Sequence, residues 1–188
     1  ARAWGRPDGY VRLLVTRGDG AMGVDPTRCP SPRVICIACA IELYPVELLA
    51  TGVSMVTVSV RRPGPDVLDP RVKSLNYLNS VLAKREARLR GADEALILNS
   101  VGNVAEAAVA NVFAFRRGRV LTPPATDGAL EGVSRGCVVE LAAGLGLDRD
   151  WGVILGDVLP RSPAEAAGLV PGDVVETLDG KILENGRQ

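Results

Sequence analysis

The sequence predicts an α+β (α/β) domain in which short strands outnumber helices. Short runs rich in β-branched residues alternate with glycine and proline, which is typical of strands joined by turns. Only two stretches carry apolar residues at helical spacing. Of the 188 residues, 47% are hydrophobic, which is enough to build a core.

Three strands are predicted before the first helix. Tyr10–Arg17 alternates in polarity and ends in a Gly-Asp-Gly turn. After a loop over Pro26–Pro32, the nearly continuous apolar run Val34–Ala40 predicts a strand buried on both faces. Val53–Val60 is the third strand, and a connection rich in proline and glycine follows it over Arg61–Pro70.

The helical periodicity falls in two places. The first helix is predicted over Asn76–Arg90, with Gly91 as its C-terminal cap. The apolar positions that suit this helix are Leu78, Val81, Leu82 and Leu89. The second helix is predicted over Val133–Leu145, between Gly132 and Gly146. Short strands with turns at Gly102 and Gly118 are predicted between the helices, at Ala95–Leu98, Val104–Ala105, Val112–Phe115 and Val120–Leu121.

Composition excludes several classes of function. The 22 basic and 22 acidic residues cancel, which argues against nucleic acid or an anionic membrane as a partner. The longest apolar stretches are too short to span a membrane. The chain has no histidine, so Ser-His-Asp and Cys-His catalysis are excluded.

The four cysteines show no disulfide framework. Cys36 and Cys39 form a C-x-x-C, but residues three apart in a strand point to opposite faces and are poorly placed to share a metal. We therefore expect Cys29, Cys36, Cys39 and Cys137 to be buried and reduced, which favours a reducing compartment.

The residues with chemical potential lie in short motifs. Lys73 follows an extended segment, and such a lysine can form a Schiff base with an aldehyde cofactor. A carboxylate in the same pocket, such as Glu106 among small alanines, can pair with a pyridinium nitrogen. In chain order the motifs are Val72–Leu78, Ala83–Ala87, Gly91–Ala95, Val104–Ala107, Asn111–Phe113, Thr122–Pro124 and Leu130–Arg135.

In this order, the motifs resemble the fold-type IV pyridoxal-phosphate enzymes, which include branched-chain and D-amino-acid aminotransferases and aminodeoxychorismate lyase. The resemblance runs from Tyr10 to Leu147. It implies pyridoxal phosphate as cofactor and a large domain over residues 1–147, built as a barrel-like β-sheet with flanking helices. It also implies that the family's smaller N-terminal domain, which adds an arginine to the phosphate site, is absent from this chain.

The resemblance implies a role for five residues. Lys73 would be the Schiff-base lysine and would move the proton between the substrate Cα and the cofactor C4′ carbon. Glu106 would pair with the pyridine nitrogen, and Tyr77 would contact the phenolic oxygen or the substrate. Val133 and Ser134 would hold the phosphate at a helix N-terminus. Outside this context the same residues would be a surface lysine, a solvent-facing strand carboxylate, a packing tyrosine and an ordinary helix cap.

The sequence changes character after Leu147. Trp151–Gln188 resembles a PDZ domain of the kind attached to bacterial quality-control serine proteases. The pattern predicts a strand ending at Pro160, a helix from Ser162 to Ala167 closed by Gly168, a turn at Pro171–Asp173, a strand over Val174–Leu178 and a hairpin turn at Asp179–Gly180. The PDZ-like segment would cover residues 140–188 and share the helix over 140–147 with the first domain.

We interpret the chain as an engineered or recombined chimera that retains residual pyridoxal-phosphate binding and little natural activity. Arg135 would add charge at an incomplete phosphate site. A genuine aminotransferase or lyase, completed by a partner chain or an N-terminal domain, is the alternative, and a module that binds a peptide C-terminus is a further one. We expect exposed apolar surface to favour a homo-oligomer, and the aminotransferase-like part points to the cytoplasm.

Overall fold

The computed structural model describes most of the first 150 residues and only short pieces beyond them. The described residues are 4–6, 9–40, 45–116, 118–150, 153–154, 168, 174–175, 177–178 and 181–182. The chain divides into two compact units, residues 1–51 and 52–188, each of which has its own architecture. The domain boundary at residues 140–147 stays a prediction.

The described elements follow one another in a mixed α/β order. The strands are β1 (Tyr10–Thr16), β2 (Arg33–Cys39), β3 (Met55–Arg61), β4 (Glu94–Leu98), β5 (Val104–Ala107), β6 (Ala114–Arg116), β7 (Arg119–Leu121), β8 (Asp148–Asp150), β9 (Val153–Ile154), β10 (Val174–Val175), β11 (Thr177–Leu178) and β12 (Lys181–Ile182). The α-helices are α1 (Val46–Thr51), α2 (Leu78–Leu89) and α3 (Val133–Gly144). Helix α1, which is six residues long, was not predicted from the sequence.

The first unit is built on one β-hairpin. Strands β1 and β2 pair antiparallel in a register that sets Tyr10 opposite Cys39 and Thr16 opposite Arg33. The prediction that the second strand is buried on both faces is wrong, because Val34, Ile35 and Ile37 are all exposed. A two-stranded ribbon cannot cover either of its faces, whatever its composition.

The cysteines are free, as predicted, but the prediction that they are buried is wrong. Cys36 and Cys137 are exposed, whereas Cys29 and Cys39 are half-buried. Among the described residues, no group of three or more cysteines, aspartates or glutamates is placed to hold a metal ion.

The second unit is centred on the sheet β3-β4-β5. Strand β3 runs parallel to β4, with Met55 opposite Glu94, and β4 runs antiparallel to β5, with Ile97 opposite Glu106. A parallel pair needs a crossover, and α2 supplies it. The core between the helix and the sheet consists of Val58, Ala83, Ala87, Ala92, Ala95, Ile97 and Ala108.

Helix α2 packs on the sheet through its small residues. Ser80, Ala83 and Ala87 are buried, whereas the four apolar positions that predicted the helix are exposed: Leu78, Val81, Leu82 and Leu89. Alanine lets the helix approach the strands closely. Packing therefore buries the face with Ser80, Ala83 and Ala87 rather than the opposite face, which carries the leucines. The predicted C-terminal cap is confirmed, because Gly91 follows the helix with a φ of 75°.

Polar contacts fix α2 to the sheet at two points. Lys84 Nζ lies 2.7 Å from Glu94 Oε2, and this glutamate is buried at the start of β4. On the other side, Glu86 accepts hydrogen bonds from the Ser59 backbone N–H and from its hydroxyl, at 2.9 and 2.6 Å. These hydrogen bonds lower the pKa of the Glu86 carboxyl.

A separate three-stranded sheet, β6-β7-β8, leads into and out of α3. Strands β6 and β7 are antiparallel, and β7 and β8 are parallel, which makes α3 their crossover. The predicted barrel-like sheet is therefore not seen as a closed barrel among the described strands, which form sheets of two or three strands. Closure of a barrel requires about eight strands that pair in a continuous ring.

The C-terminal segment is described only in pieces. Strand β9 pairs with β10, and β11 pairs with β12, with Leu178 opposite Lys181. Gly168 has a φ of 80°, as a helix-terminating glycine does. The other predicted PDZ-like features lie outside the described residues: the strand end at Pro160, the helix over 162–167 and the turns at 171–173 and 179–180. None of the described helices combines the length and apolar character that crossing a membrane requires.

Candidate active site

A cavity of about 640 Å³ lies in the second unit. Its walls come from the loop before α2, the end of β5 with the residues after it, and the N-terminus of α3. The five residues to which the resemblance gave a role border it, and so does Arg135: Lys73, Tyr77, Glu106, Val133, Ser134 and Arg135. The fold therefore gathers residues from three separate stretches of sequence around one space.

The lysine lies on the loop side of the cavity. Lys73 is exposed, four residues before Tyr77, and its Nζ donates a hydrogen bond to Tyr77 Oη at 3.2 Å. The same ammonium lies 5.9 Å from the centroid of the Tyr77 ring. Tyr77 is the N-terminal cap residue of α2, so the first turn of the helix sets the position of its phenol beside the lysine.

The carboxylate lies on the sheet side of the cavity. Glu106 belongs to β5, and its side chain is 9% exposed. Its Oε1 lies 2.8 Å from Arg62 Nη2, and its Oε2 accepts a hydrogen bond from the Leu130 backbone N–H at 2.9 Å. Both oxygens are therefore held by donors from other parts of the chain.

Burial and charge act in opposite directions on this carboxyl. Burial raises the pKa of Glu106, whereas the Leu130 N–H, Arg62 and Lys73 lower it without cancelling the effect. Lys73 and Glu106 border the same cavity, and the positive charge of Lys73 is one of the effects that lower the pKa of Glu106.

Residues 128–132, which we call the bridging segment, join the carboxylate to α3. Arg62 Nε donates to the Gly128 carbonyl at 3.1 Å. Gly128 has a φ of 98°, and a Cβ there would meet Arg62 Cγ at 2.9 Å, so glycine suits both the turn and the close approach. Before this segment, the buried Asp127 accepts hydrogen bonds from Asn99 and Asn103, each at 3.2 Å.

Helix α3 presents its N-terminus to the cavity. Its cap residue is Gly132, which provides no capping side chain, and Val133 and Ser134 are the first helical residues. Ser134 is therefore inside the helix rather than its N-cap. An uncovered helix N-terminus favours anions through its N–H groups and its dipole.

The side chain of Arg135 is held by hydrogen bonds to other residues of the protein. It is buried, its Nε donates to Thr122 Oγ1 at 3.3 Å, and its Nη2 donates to the Pro123 carbonyl at 2.9 Å. Burial lowers the pKa of its guanidinium. Its described contacts tie α3 to the loop after β7, so its structural role is clearer than the added charge that the sequence analysis considered.

Three residues that shape this site had no role predicted from the sequence. Arg62 pairs with Glu106, the Leu130 peptide N–H holds the same carboxylate, and Asn111 Nδ2 donates to the Leu130 carbonyl at 2.7 Å. Asn111 stood in a recognised motif without an assigned contact. The sequence offered only a weak indication of a role for Arg62, because two consecutive arginines after an apolar strand usually mark the exposed end of that strand.

A comparison with protein families identifies the family of the chain. The model of the amino-transferase class IV family matches residues 1–154. The chain therefore belongs to this family.

Several of the proteins that are similar to this chain are branched-chain amino acid aminotransferases. A putative branched-chain-amino-acid aminotransferase of Methanocaldococcus jannaschii is 42% identical over 183 residues, which cover 95% of this chain and 62% of the relative. The crystal structure of the Escherichia coli branched-chain amino acid aminotransferase matches with a TM-score of 0.76 and 34% identity, over 80% of this chain and 50% of that one. The T.th. branched-chain amino acid aminotransferase, solved with pyridoxamine 5′-phosphate, matches with a TM-score of 0.73 and 34% identity, over 80% and 49%.

These matches bear on the organisation of the chain. The chain spans 62% of the length of the Methanocaldococcus jannaschii relative and about half of the two solved structures. The first alignment covers 95% of the chain, so it continues into the segment interpreted as PDZ-like. The comparisons give no support to a PDZ segment or to a chimeric or engineered origin.

Proposed function

We propose that this chain is the cofactor-binding part of a pyridoxal-phosphate-dependent aminotransferase that acts on branched-chain amino acids. The observation that carries the proposal is that Lys73, Glu106 and the N-terminus of α3 all border one cavity. The names of the relatives support the substrate class. The comparisons favour this alternative over the chimera with little natural activity.

The residues fit the proposed cofactor. The cavity has the size of a typical small-molecule site. The exposed amine of Lys73 suits an aldehyde, the buried carboxylate of Glu106 suits a ring nitrogen, and the N-terminus of α3 suits a phosphate. The chemistry that bound pyridoxal phosphate supplies is stabilisation of negative charge at the substrate Cα.

Each residue has a defined task in this proposal. Lys73 would hold the aldehyde of the cofactor through its Nζ and, once the substrate amine has displaced it, would accept the proton from the substrate Cα. Tyr77 Oη, which accepts a hydrogen bond from that nitrogen, orients it. Glu106 would hold the proton on the ring nitrogen, and the N–H groups of Val133 and Ser134 would bind the phosphate together with the Ser134 hydroxyl.

Arg62 supports the charge of Glu106. Burial alone would favour the neutral carboxyl, which cannot pair with a positively charged ring nitrogen. The guanidinium at 2.8 Å and the Leu130 N–H favour the carboxylate instead. Arg62 therefore favours the ionised form of Glu106 and opposes the effect of burial.

Covalent labelling tests the proposal. The purified chain is incubated with pyridoxal phosphate, reduced with borohydride and digested, and the modified peptide is identified by mass spectrometry. We expect the label on Lys73. Lys84, which pairs with Glu94, is the control lysine, and Lys84→Arg should keep the label. A label spread evenly over the lysines would contradict the proposal.

We also propose that the chain forms a homo-oligomer. The leucine face of α2, formed by Leu78, Val81, Leu82 and Leu89, is exposed in the single chain, and such apolar surface favours association. Light scattering after size exclusion gives the mass in solution. A monomer at all protein concentrations would contradict this.

A further inference from the structure

We infer that Asn111 is a positioning residue that sets the phosphate-binding N-terminus of α3 through the peptide of Leu130. The inference rests on the proposed function, because it takes the anion at that helix to be the phosphate of the cofactor. Asn111 would not touch the phosphate, and it would act by holding the backbone from which the helix starts.

The Leu130 peptide is the point at which the two halves of the site meet. Its N–H donates to Glu106 Oε2 at 2.9 Å. Its carbonyl accepts a hydrogen bond from Asn111 Nδ2 at 2.7 Å and another from the Gly132 N–H at 2.8 Å. One residue therefore links the carboxylate for the ring nitrogen to the cap residue of α3.

The fit of Asn111 against the helix start is close. A Cβ at Gly132 would lie 2.4 Å from Asn111 Oδ1, so the asparagine occupies the space that a side chain at the cap would need. Glycine at this position leaves the helix N–H groups uncovered and lets Asn111 press against the backbone. Both ends of the Asn111 amide thus face the segment that delivers Val133 and Ser134.

The sequence positions reinforce this arrangement. Glu106 and Asn111 are five residues apart, at the end of β5 and just after it. Both contact the backbone of Leu130, Glu106 at its N–H and Asn111 at its carbonyl, and Leu130 is 24 residues from Glu106 and 19 from Asn111. The short stretch from Glu106 to Asn111 therefore fixes the distance between the ring-nitrogen site and the phosphate site. Within this stretch, Asn111 controls the position of the phosphate site.

The test compares ligands with and without the phosphate. Pyridoxal phosphate and pyridoxal are titrated into the wild-type chain and into Asn111→Leu and Asn111→Asp, two variants of similar size that cannot donate to Leu130. We expect both variants to bind pyridoxal phosphate about tenfold more weakly and to bind pyridoxal with nearly unchanged affinity. Circular dichroism establishes that the variants are folded.

Asn79→Leu is the matched control. Asn79 borders the same cavity, and its Nδ2 donates a hydrogen bond to the Arg61 carbonyl at 2.8 Å. The Asn79→Leu variant therefore loses a similar hydrogen bond, but one that does not involve α3. We expect no loss that is selective for the phosphate-bearing ligand. An equal loss of both ligands in the Asn111 variants would place Asn111 at the ring, and unchanged binding would remove its role. Either result overturns the inference.

A second measurement separates this inference from the proposed function. Inorganic phosphate is titrated into the ¹⁵N-labelled protein, and the amide signals of Val133 and Ser134 are followed. We expect shifts in the wild type that are strongly reduced in Asn111→Leu. If the wild type fails to bind pyridoxal phosphate but these shifts appear, only the proposed function fails. If the shifts are equal in both proteins, or absent from the wild type, the inference fails.

Discussion

The two sides of the cavity are built in different ways. Lys73 is exposed on a loop, and its nitrogen donates to the hydroxyl of Tyr77, four residues away. Glu106 is buried on a strand, and partners 44 residues before it and 24 residues after it in the sequence hold its two oxygens. Lys73 is thus positioned locally, whereas Glu106 is positioned by the tertiary structure.

This difference matches the two tasks that we propose. A lysine that reacts with an aldehyde and then moves a proton must change position, and an exposed loop site permits this. A carboxylate that holds a ring nitrogen must keep its charge and its place, and fixed donors at a buried site provide both. Substitutions on the lysine side should therefore affect chemistry, and substitutions on the carboxylate side should affect stability as well.

The largest effect is expected for Lys73→Ala. The variant should lose the covalent pyridoxal-phosphate label and its visible absorbance band entirely, because the reactive amine is gone. Its melting temperature should stay close to that of the wild type, since the side chain is exposed. A variant that unfolds would show that the lysine side is also structural and would break the comparison.

Glu106→Gln should weaken binding of pyridoxal phosphate on the order of tenfold to a hundredfold, the range that one charge-assisted hydrogen bond supplies. Equilibrium titration followed by absorbance measures this. The variant should also be destabilised, because the partly buried Arg62 loses its charged partner. Unchanged stability would mean that solvent already screens this pair.

Arg62→Gln should have a smaller effect, about threefold to tenfold on binding of pyridoxal phosphate. Without the guanidinium, the pKa of Glu106 rises further, so the loss should grow as the pH falls. The measurement is a binding curve at several pH values in the wild type and the variant. A pH-independent loss would show that Arg62 acts only through its bond to Gly128.

The smallest effects concern the pH dependence of stability. The pKa of Glu106 is raised in the folded state, so the stability contributed by this group is full below the unfolded pKa of about 4.5 and is lost as the pH rises through the folded value. The pKa of Glu86 is lowered, so its contribution is present above about 4.5 and is lost as the pH falls through the folded value.

Urea unfolding of the wild type, Glu106→Gln and Glu86→Gln across this range tests both signs. Relative to the wild type, Glu106→Gln should gain stability as the pH rises, and Glu86→Gln should gain stability as the pH falls. The same sign for both variants would contradict a raised pKa for Glu106 and a lowered pKa for Glu86.

Much of the local structure follows from sequence patterns. The strands β1, β3 and β4, the helices α2 and α3, and the turn at Gly91 lie within a few residues of their predicted positions. Helices and strands of this kind depend on spacing and turn residues that are neighbours in the chain. The motif around Lys73 also indicated the family, which the family match supports independently.

Only the tertiary structure decided which surfaces are buried and which partners meet. The same apolar character is exposed in β2 and buried in β4, since only β4 has neighbours on both sides and a helix over it. The contacts of Glu106 with Arg62 and Leu130 join residues far apart in the sequence. Periodicity records the preference of each segment for its own conformation, whereas burial and pairing depend on segments that the chain brings together only when it folds.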